Sequence, residues 1–498
     1  MKIKHAVLLS AVLITGCAVG PNYQEPQVIM PAEYGQVTAA ANEAATQPTT
    51  AATTTNTTAS TQPALASVTP QTAWWATFND PVLNRLIEQA YRSNLDLRVA
   101  EARVREARAA RGIVTADYWP DIDATGSYSR SRPSKTIGNF GSFAAGEQDL
   151  WQAGFDAAWE IDVFGRVRRG VQAADADIQA AVADRNDVLL TLLGEVARNY
   201  VELRGFQRQV AIAQNNTKSQ QETLDLTRVR LNAGLGTDLA VAQTEAQVAA
   251  TQSQIPAFQN LAQQSIHRLS VLLGKAPAAL VAELDPIQPI PAPPPDIPAG
   301  LPSELLRRRP DIRRAERQLA AATARIGVAT ADLFPSFTLT GSLGVEANEF
   351  KDLGDNDSLF WSIGPGVRFP IFNRGRLKSA VAVEQARTDQ AIAQYEQAVL
   401  RSLEEVENAL VAYRKEYVRH EALARAVSSS QRSVQLSQQL YQRGLTDFLN
   451  VLVAQRELYQ NQDLLVQSES NVSANAVALF KALGGGWQVE QPRVATRE

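Results

Sequence analysis

Cysteine occurs once in 498 residues, methionine twice and histidine three times. A single cysteine excludes a disulfide within the chain. With no second cysteine and no histidine pair, zinc chemistry lacks a donor set. His5, His267 and His420 are far apart in sequence, and His420 falls on a helical seam, a place for packing rather than metal binding. No run of apolar residues reaches the 18 or so that a membrane-spanning helix needs. Aromatic residues are only 7% of the chain, and no basic patch stands out from a net charge of -4. Nucleic acid is therefore a poor partner. Leu273-Gly274-Lys275 lacks the glycine spacing of a phosphate-binding loop. Acidic residues are numerous but scattered over helical stretches. These absences leave no catalytic constellation and no cofactor site, and they point away from an enzyme.

The N-terminus carries the first specific feature. Lys2 and Lys4 precede a nine-residue apolar run, Ala6 to Ile14, which ends in Leu13-Ile14-Thr15-Gly16-Cys17. Nine residues are too few to cross a bilayer but fit the core of a signal peptide. Residues 1–16 are therefore read as a signal peptide. The small residues before Cys17 look like a bacterial lipobox, with Cys17 as the acylated residue of the mature protein. Residues 17–73 then hold the anchor and a tether. From 36 to about 72 the chain is Ala, Thr, Gln, Asn and Ser, too poor in large apolar side chains to repay its ordering entropy.

From Trp74 the chain repeats itself once. Thr115-Ala116-Asp117-Tyr118-Trp119-Pro120 recurs as Thr330-Ala331-Asp332-Leu333-Phe334-Pro335, and Phe164-Gly165-Arg166 recurs as Phe372-Asn373-Arg374. Leu231 to Gly234 recurs as Tyr441 to Gly444, and Leu272-Leu273-Gly274 as Ala482-Leu483-Gly484. The repeats span 74–285 and 303–487, joined by a Pro-rich linker at 286–302 and followed by a tail at 488–498. Proline density favours an extended linker with little helix.

Each half holds the same elements. An Ala/Arg/Glu-rich helix (about 82–118 and 303–333) is followed by two segments of period-two alternation. The strands are expected at about 121–131, 150–164, 336–346 and 359–372. In the second, Trp151, Ala153, Phe155, Ala157, Trp159, Ile161 and Val163 share one face, and Gln152, Asp156, Glu160 and Asp162 the other. Long helices are expected at about 166–233 and 374–443, neither containing proline. Each carries a heptad seam, Leu189, Val196, Leu203, Val210, Thr217, Leu224 and Leu231 in the first, and Val399, Val406, Tyr413, His420, Val427, Val434 and Tyr441 in the second. Each ends at a glycine, Gly234 or Gly444. Thr237-Asp238 and Thr446-Asp447 stand ready to cap return helices at about 238–273 and 447–484, the first of which Pro256 is placed to kink.

Four strands of about ten residues have the length of tilted membrane strands. Open edges are not viable in lipid, yet barrels begin at eight strands. Such a chain must share its barrel with copies of itself, two giving eight strands and three giving twelve. Rods of about 68 residues, roughly 100 Å at the helical rise, need burial along their seams as well. The alternative, two hairpins packed on helices in a soluble periplasmic coiled-coil lipoprotein, leaves the outward Trp and Phe without a covering layer.

The duplication, the lipobox, Gly20-Pro21-Asn22-Tyr23 with Pro26, the run from Leu306 through Arg307-Arg308-Arg309-Pro310-Asp311-Ile312 to Pro335, and the two Gly-Leu tips together resemble the outer-membrane factor family, TolC-like and OprM-like, in its NodT-type lipoprotein branch. The resemblance covers residues 17–25 and 74–487. It implies an α+β chain that forms a homotrimer, with a 12-stranded transmembrane β-barrel continuous with a 12-helix periplasmic α-barrel. It also implies a periplasmic adaptor and an inner-membrane RND pump as partners, a passive role in efflux of small toxic compounds, and the Gly234 and Gly444 turns at a periplasmic tip where the duct closes. A duct for protein or oligosaccharide secretion would share this fold.

The tip departs from the family pattern. Many relatives carry acidic residues six and nine positions after the second tip glycine, where this chain has Asn450 and Val453. Its acids, Asp238 and Asp447, lie nearer the glycines. They are expected either to cap helices only or, with Asn450, to form a displaced cation-attracting ring. The stretches Arg132 to Asp149 and Glu346 to Asp357 link strands and read as extracellular loops.

Overall fold

The computed structural model describes residues 18–28, 30–32, 34–35, 73–132, 147–294, 297 and 300–488. Cys17, the signal peptide, the Ala/Thr-rich stretch 36–72, most of the first strand-linking loop and the tail from 489 lie outside them. The chain forms two compact units, each assembled from three stretches. One comprises residues up to Gln27 with 102–182 and 314–396; the other comprises 28–101, 183–313 and 397 onward.

The first unit contains a single antiparallel sheet in the order β1 (Asp121–Ser131), β2 (Gln148–Ile161), β3 (Ser336–Ala347) and β4 (Leu359–Arg368). The register turns the alternation in the sequence into two chemically distinct faces. Ala124, Phe155, Leu343 and Trp361 form one cross-strand row, and Ile122, Ala157, Gly341 and Ile363 the next. On the opposite face the corresponding row is Asp123, Asp156, Ser342 and Ser362, where Ser342 and Ser362 hydrogen-bond at 2.7 Å. The apolar face is bare: Phe155, Trp361, Ile363 and Val367 are each at least 60% exposed. Strand β2 stops at Ile161, leaving Val163 beyond it, and β4 stops at Arg368 rather than near 372. The second strand-linking loop contains two 3-10 turns, Phe350–Gly354 and Asn356–Ser358.

Residues just after Cys17 are held against this unit. The Arg169 guanidinium donates to the carbonyls of Val19 (3.0 Å) and Gly20 (3.1 Å) and to Asn22 Oδ1 (2.9 Å). Val19 N donates to the Phe164 carbonyl at 3.1 Å. Gly20, at φ +87°, lies so close to Gly327 that a Cβ would sit 2.5 Å from the Gly327 Cα. Nothing larger than glycine fits there.

The second unit begins with a 3-10 turn, Trp74–Phe78, and helix α1 (Pro81–Ser93). Asp80 caps α1, accepting from Val82 N and Leu83 N, while its other oxygen takes the Tyr200 hydroxyl at 2.8 Å. Burial is the main force pushing the Tyr200 phenol up to about 12. The helix expected at 82–118 is two helices, α1 and α2 (Leu95–Ala116). The break falls at Asn94, buried, whose Oδ1 accepts from Leu97 N while its Nδ2 donates to the Leu272 carbonyl at 2.8 Å. The helix expected at 303–333 is likewise divided, into a turn at Pro302–Glu304, α6 (Leu305–Arg308) and α7 (Pro310–Ala331), because Pro310 cannot continue the preceding helix.

Helices α3 (Arg166–Asn232) and α8 (Arg376–Gln442) are each 67 residues long, roughly 100 Å at the helical rise. Their return helices are α4 (Asp238–Leu272) and α9 (Phe448–Ala482), and α4 runs on through Pro256 without a break. Leu189, Val196, Leu203, Val210 and Leu224 of the first seam are buried, as are Val399, Val406, Tyr413, Val427, Val434 and Tyr441 of the second. The largest cluster in this unit gathers Trp74, Leu83, Leu86 and Ile87 with Leu193, Tyr200, Ile266 and Leu269.

A short helix, α5 (Val281–Leu284), leads into the Pro-rich linker, whose stretch 286–294 is non-helical and tied down through its carbonyls. Arg204, only 1% exposed, donates to Leu284 O and Pro286 O. Ser473 and Tyr413 donate to Pro291 O and Pro294 O, both at 2.6 Å. Proline carries no N–H, so Pro286, Pro291 and Pro294 offer acceptors only, and buried donors meet them.

Candidate functional site

The turns between each long helix and its return are built twice by the same local chemistry. Gly234 (φ +74°) and Gly444 (φ +73°) each follow a long helix in the left-handed region, and neither has any neighbour that a Cβ would meet. Leu235 N reaches back to Arg230 O (2.8 Å), and Leu445 N to Leu440 O (2.9 Å). These bonds close Schellman motifs, which satisfy carbonyls the helix leaves free. The leucines after the glycines, Leu235 and Leu445, are both 69% exposed, as are Leu239 and Leu449 to a lesser degree.

The capping differs from the expectation for Asp238 and Asp447. Thr237 is the cap of α4, accepting from Ala240 N at 3.3 Å, and Asp238 stands in the first turn, where its charge suits the helix dipole. Asp447 occupies the cap position of α9, but its side chain accepts no capping hydrogen bond. Thr446 Oγ1 is instead taken up by Asn450 Nδ2 at 2.7 Å. Asp238, Asp447, Asn450 and Val453 are all exposed. Among the described residues neither aspartate forms an ion pair, so both carboxylates are available to solvent.

A contact that periodicity did not reveal joins the ends of the two long helices. Arg230, in the last turn of α3, lays its guanidinium 4.4 Å from the centre of the Tyr441 ring and donates to Tyr441 O at 3.0 Å. Tyr441 packs edge-on against Phe448, with centroids 5.5 Å apart, in a small cluster with Ala240, Val451 and Leu452. One cation thus serves as a cap for α8 and as a cation–π partner. The duplication alone hides the pair, because the repeat counterparts of Arg230 and Tyr441 are Leu440 and Leu231. The available signal was an aromatic residue, Tyr441, at the last seam position, where the first seam has Leu231.

Near the tip, polar pairs interrupt the apolar clusters of Leu224, Val241 and Val248 and of Val427, Val434 and Leu458. Gln455 donates to Thr223 Oγ1 (3.1 Å) and Gln220 to Thr251 Oγ1 (2.9 Å), all buried. Such layers exchange apolar burial for hydrogen bonds of about 0.5–1.5 kcal/mol each, so the tip is held more weakly than an all-aliphatic seam would be. Arg230→Ala is therefore expected to loosen the tip by about 1–2 kcal/mol, from the lost cation–π contact and cap. Amide exchange at the end of α8 should accelerate roughly tenfold, following the 1.4 kcal/mol-per-decade relation between opening energy and rate. Arg228→Ala, which removes only an exposed pair with Glu245, is the control. Equal exchange in both variants would refute the role given to Arg230.

No group of three His, Cys, Asp or Glu residues that could hold a metal exists among the described residues. His420 Nε2 lies 3.9 Å from Glu469 Oε1 beside the linker, and His267 is exposed on α4.

Comparison with known proteins agrees with this architecture. The family model described as outer membrane efflux protein matches the chain twice, over residues 86–275 and 301–485. Nodulation protein T of Rhizobium leguminosarum bv. trifolii is 32% identical over 96% of this chain and 96% of its own length. Pyoverdine export outer membrane protein OpmQ of Pseudomonas aeruginosa is 35% identical over 85% of this chain and 90% of its own. Among solved structures, the outer-membrane channel OprN superposes with a TM-score of 0.84 at 37% identity, over 95% of this chain and all of that one. CusC does so at 0.78 and 29% identity, over 94% and all. The four exposed strands, the duplicated long helices and the double family match have one reading: this chain belongs to the outer membrane efflux protein family, and it is an outer-membrane channel, not an enzyme.

Proposed function

We propose that three copies of this chain form the exit duct of a tripartite efflux pump, anchored through an acylated Cys17. The observation that carries this reading is the sheet: four strands, bare apolar residues on one face, polar residues on the other, and two free edges. In lipid those edges must be paired, and three copies give a closed barrel of twelve strands. The paired long helices, two long and two shorter per chain, would give a twelve-helix tunnel below it. Solved relatives described as channels support the trimer, and the hold of Arg169 on residues 19–22 supports an anchor beside the sheet.

A periplasmic adaptor and an inner-membrane pump, of the RND type, would dock at the Gly234 and Gly444 turns, where exposed leucines surround each glycine. The relatives' names mention pyoverdine, solvent, antibiotic and cation export. Such varied cargo on one fold fits a passive duct whose substrate is selected upstream, and small toxic compounds are the class proposed here. Purified in detergent, the protein should run as a trimer and conduct ions in planar bilayers; a monomer without conductance would sink the proposal. In the same recordings Asp447→Ala tests whether Asp447, with Asp238 and Asn450, attracts cations at the tip. Reduced cation selectivity is expected, whereas unchanged conductance and selectivity would leave Asp447 a helix-end residue only.

A further inference from the structure

The duplication keeps one interior polar pair at the same height in both repeats. In the first, Gln220 Nε2 of α3 donates to Thr251 Oγ1 of α4 at 2.9 Å. By the repeat, the counterpart of Gln220 is Ser430 and that of Thr251 is Asn461. There Asn461 Nδ2 of α9 donates to Ser430 Oγ of α8, again at 2.9 Å. The amide has changed sides, yet the bond between long helix and return helix is kept. Two more bonds join the repeats to each other, Gln455 Nε2 to Thr223 Oγ1 at 3.1 Å and Gln209 Nε2 to Asp463 Oδ1 at 2.6 Å. Polar bonds thus run from α4 to α3, on to α9 and on to α8, a belt across all four helices. Gln220 and Ser430 each stand about 14 positions before a tip glycine, roughly 20 Å along the rod.

The belt is underbonded as well as polar. Gln220 is 0% exposed, but its Oε1 has no partner among the described residues, nor has Thr217 Oγ1 or Gln462 Oε1. These three atoms are closed off within one chain, so a neighbouring copy cannot reach them. A cavity of about 300 Å³ opens at Thr251, the partner of Gln220, with Gln209, Asn216, Gln247, Gln254 and Asp463 in its walls. Polar walls and that volume suit several ordered waters, which satisfy buried polar groups where side chains do not. Pro256, exposed in α4 just past Thr251, has no N–H for the Gln252 carbonyl and weakens that helix at the same height. Away from the tip lies the largest apolar cluster, with Leu189 to Leu203 on α3. On the tip side the apolar clusters around Val241 and Tyr441 are small.

We propose that this belt is a hydrated joint, about which the tip-side ends of α3, α4, α8 and α9 move together while the rest of each rod stays fixed. Water-bridged groups exchange partners readily, whereas interlocked aliphatic side chains must unpack before they shift. A bend is therefore easiest where all four helices cross one polar layer. The inference does not need the shared barrel, since every group in the belt belongs to one chain. A belt that only fixed helix register, as buried polar residues do in coiled coils, would respond oppositely when made apolar.

Amide exchange followed by mass spectrometry on the full-length protein in detergent tests the joint. In the parent, exchange should rise about tenfold in one step between Leu203 and Leu224 of α3. A smooth rise toward the tip, as simple fraying gives, would overturn the joint. In Gln220→Leu/Thr251→Val both bonded partners become apolar, so no donor is stranded by the change. Tip-side exchange should then slow about threefold, with Leu189 to Leu203 unchanged. Faster exchange would make the belt a register device instead, and unchanged exchange would equally refute the joint. Pro256→Ala, at an exposed site, returns a hydrogen bond to α4 without altering the interior. It should slow exchange on the tip side of α4, and no slowing there would also count against the joint.

Discussion

Replacing Arg309 by methionine is expected to destabilise the chain by about 3 kcal/mol, the lower end of the range for breaking a buried ion pair. The Arg309 guanidinium is 8% exposed and donates to both carboxylate oxygens of Asp311, at 3.0 and 2.6 Å. It also donates to the Ala482 carbonyl at 3.0 Å and pairs with Glu405 at 2.7 Å. Burial works against its charge, but Asp311 and Glu405 outweigh burial and hold the guanidinium above its ordinary range. Methionine would fill the space and strand an aspartate and the Ala482 carbonyl at the end of α9. The Glu405 contact contributes little, since that carboxylate is 57% exposed. Denaturant unfolding of the detergent-solubilised protein measures the loss, with Arg85→Met as the control, because its pair with Glu283 is exposed and worth less than about 1 kcal/mol. A shift for Arg309→Met no larger than that control would show that the site tolerates the loss of its cation.

Trp74→Ala is expected to cost about 3–5 kcal/mol, the range for removing a large aromatic side chain from a packed core. Trp74 is 1% exposed and stacks on Phe480 at 5.3 Å, with Phe78 and Trp75 edge-on around it. Gly486, at φ +109°, lies so close that a Cβ there would sit 2.8 Å from the indole nitrogen. Among the described residues that nitrogen is buried without an acceptor, and an unmet donor costs roughly 1–3 kcal/mol. Trp74→Phe removes the unmet donor while keeping a ring, so it should lose far less than Trp74→Ala. Unfolding followed by far-ultraviolet circular dichroism separates the two, and equal losses would contradict this division between packing and polar strain.

These two residues also show where sequence reading stops. Arg309 lies in the run by which the chain most specifically resembles its family, yet nothing in Leu306 to Ile312 says that the third arginine is the buried one. Beyond Asp311, its partners come from α9, some 170 positions later, and from α8. Helix α1 and α2 read as one helix because the Ala/Arg/Glu pattern is unbroken. The break at Asn94 depends on the Leu272 carbonyl, which periodicity does not register. At the tip the glycines were legible, since a helix that must stop in the left-handed region selects glycine. Arg230 and Tyr441 were not, because their contact joins the ends of two helices whose repeat counterparts are both leucine.

The sequence by itself determined which segments are strands and which are rods, and that the chain is a duplicate. Period-two and heptad patterns are local properties, set by where successive side chains point along a strand or a helix. Only the tertiary structure decided the order and register of the sheet, the buried cations Arg169, Arg204 and Arg309 that bind distant carbonyls, and the tip contact between α3 and α8. Each of these pairs groups far apart in the chain, and such a pairing is selected by burial and hydrogen-bond satisfaction after the elements meet, not by any pattern within one of them.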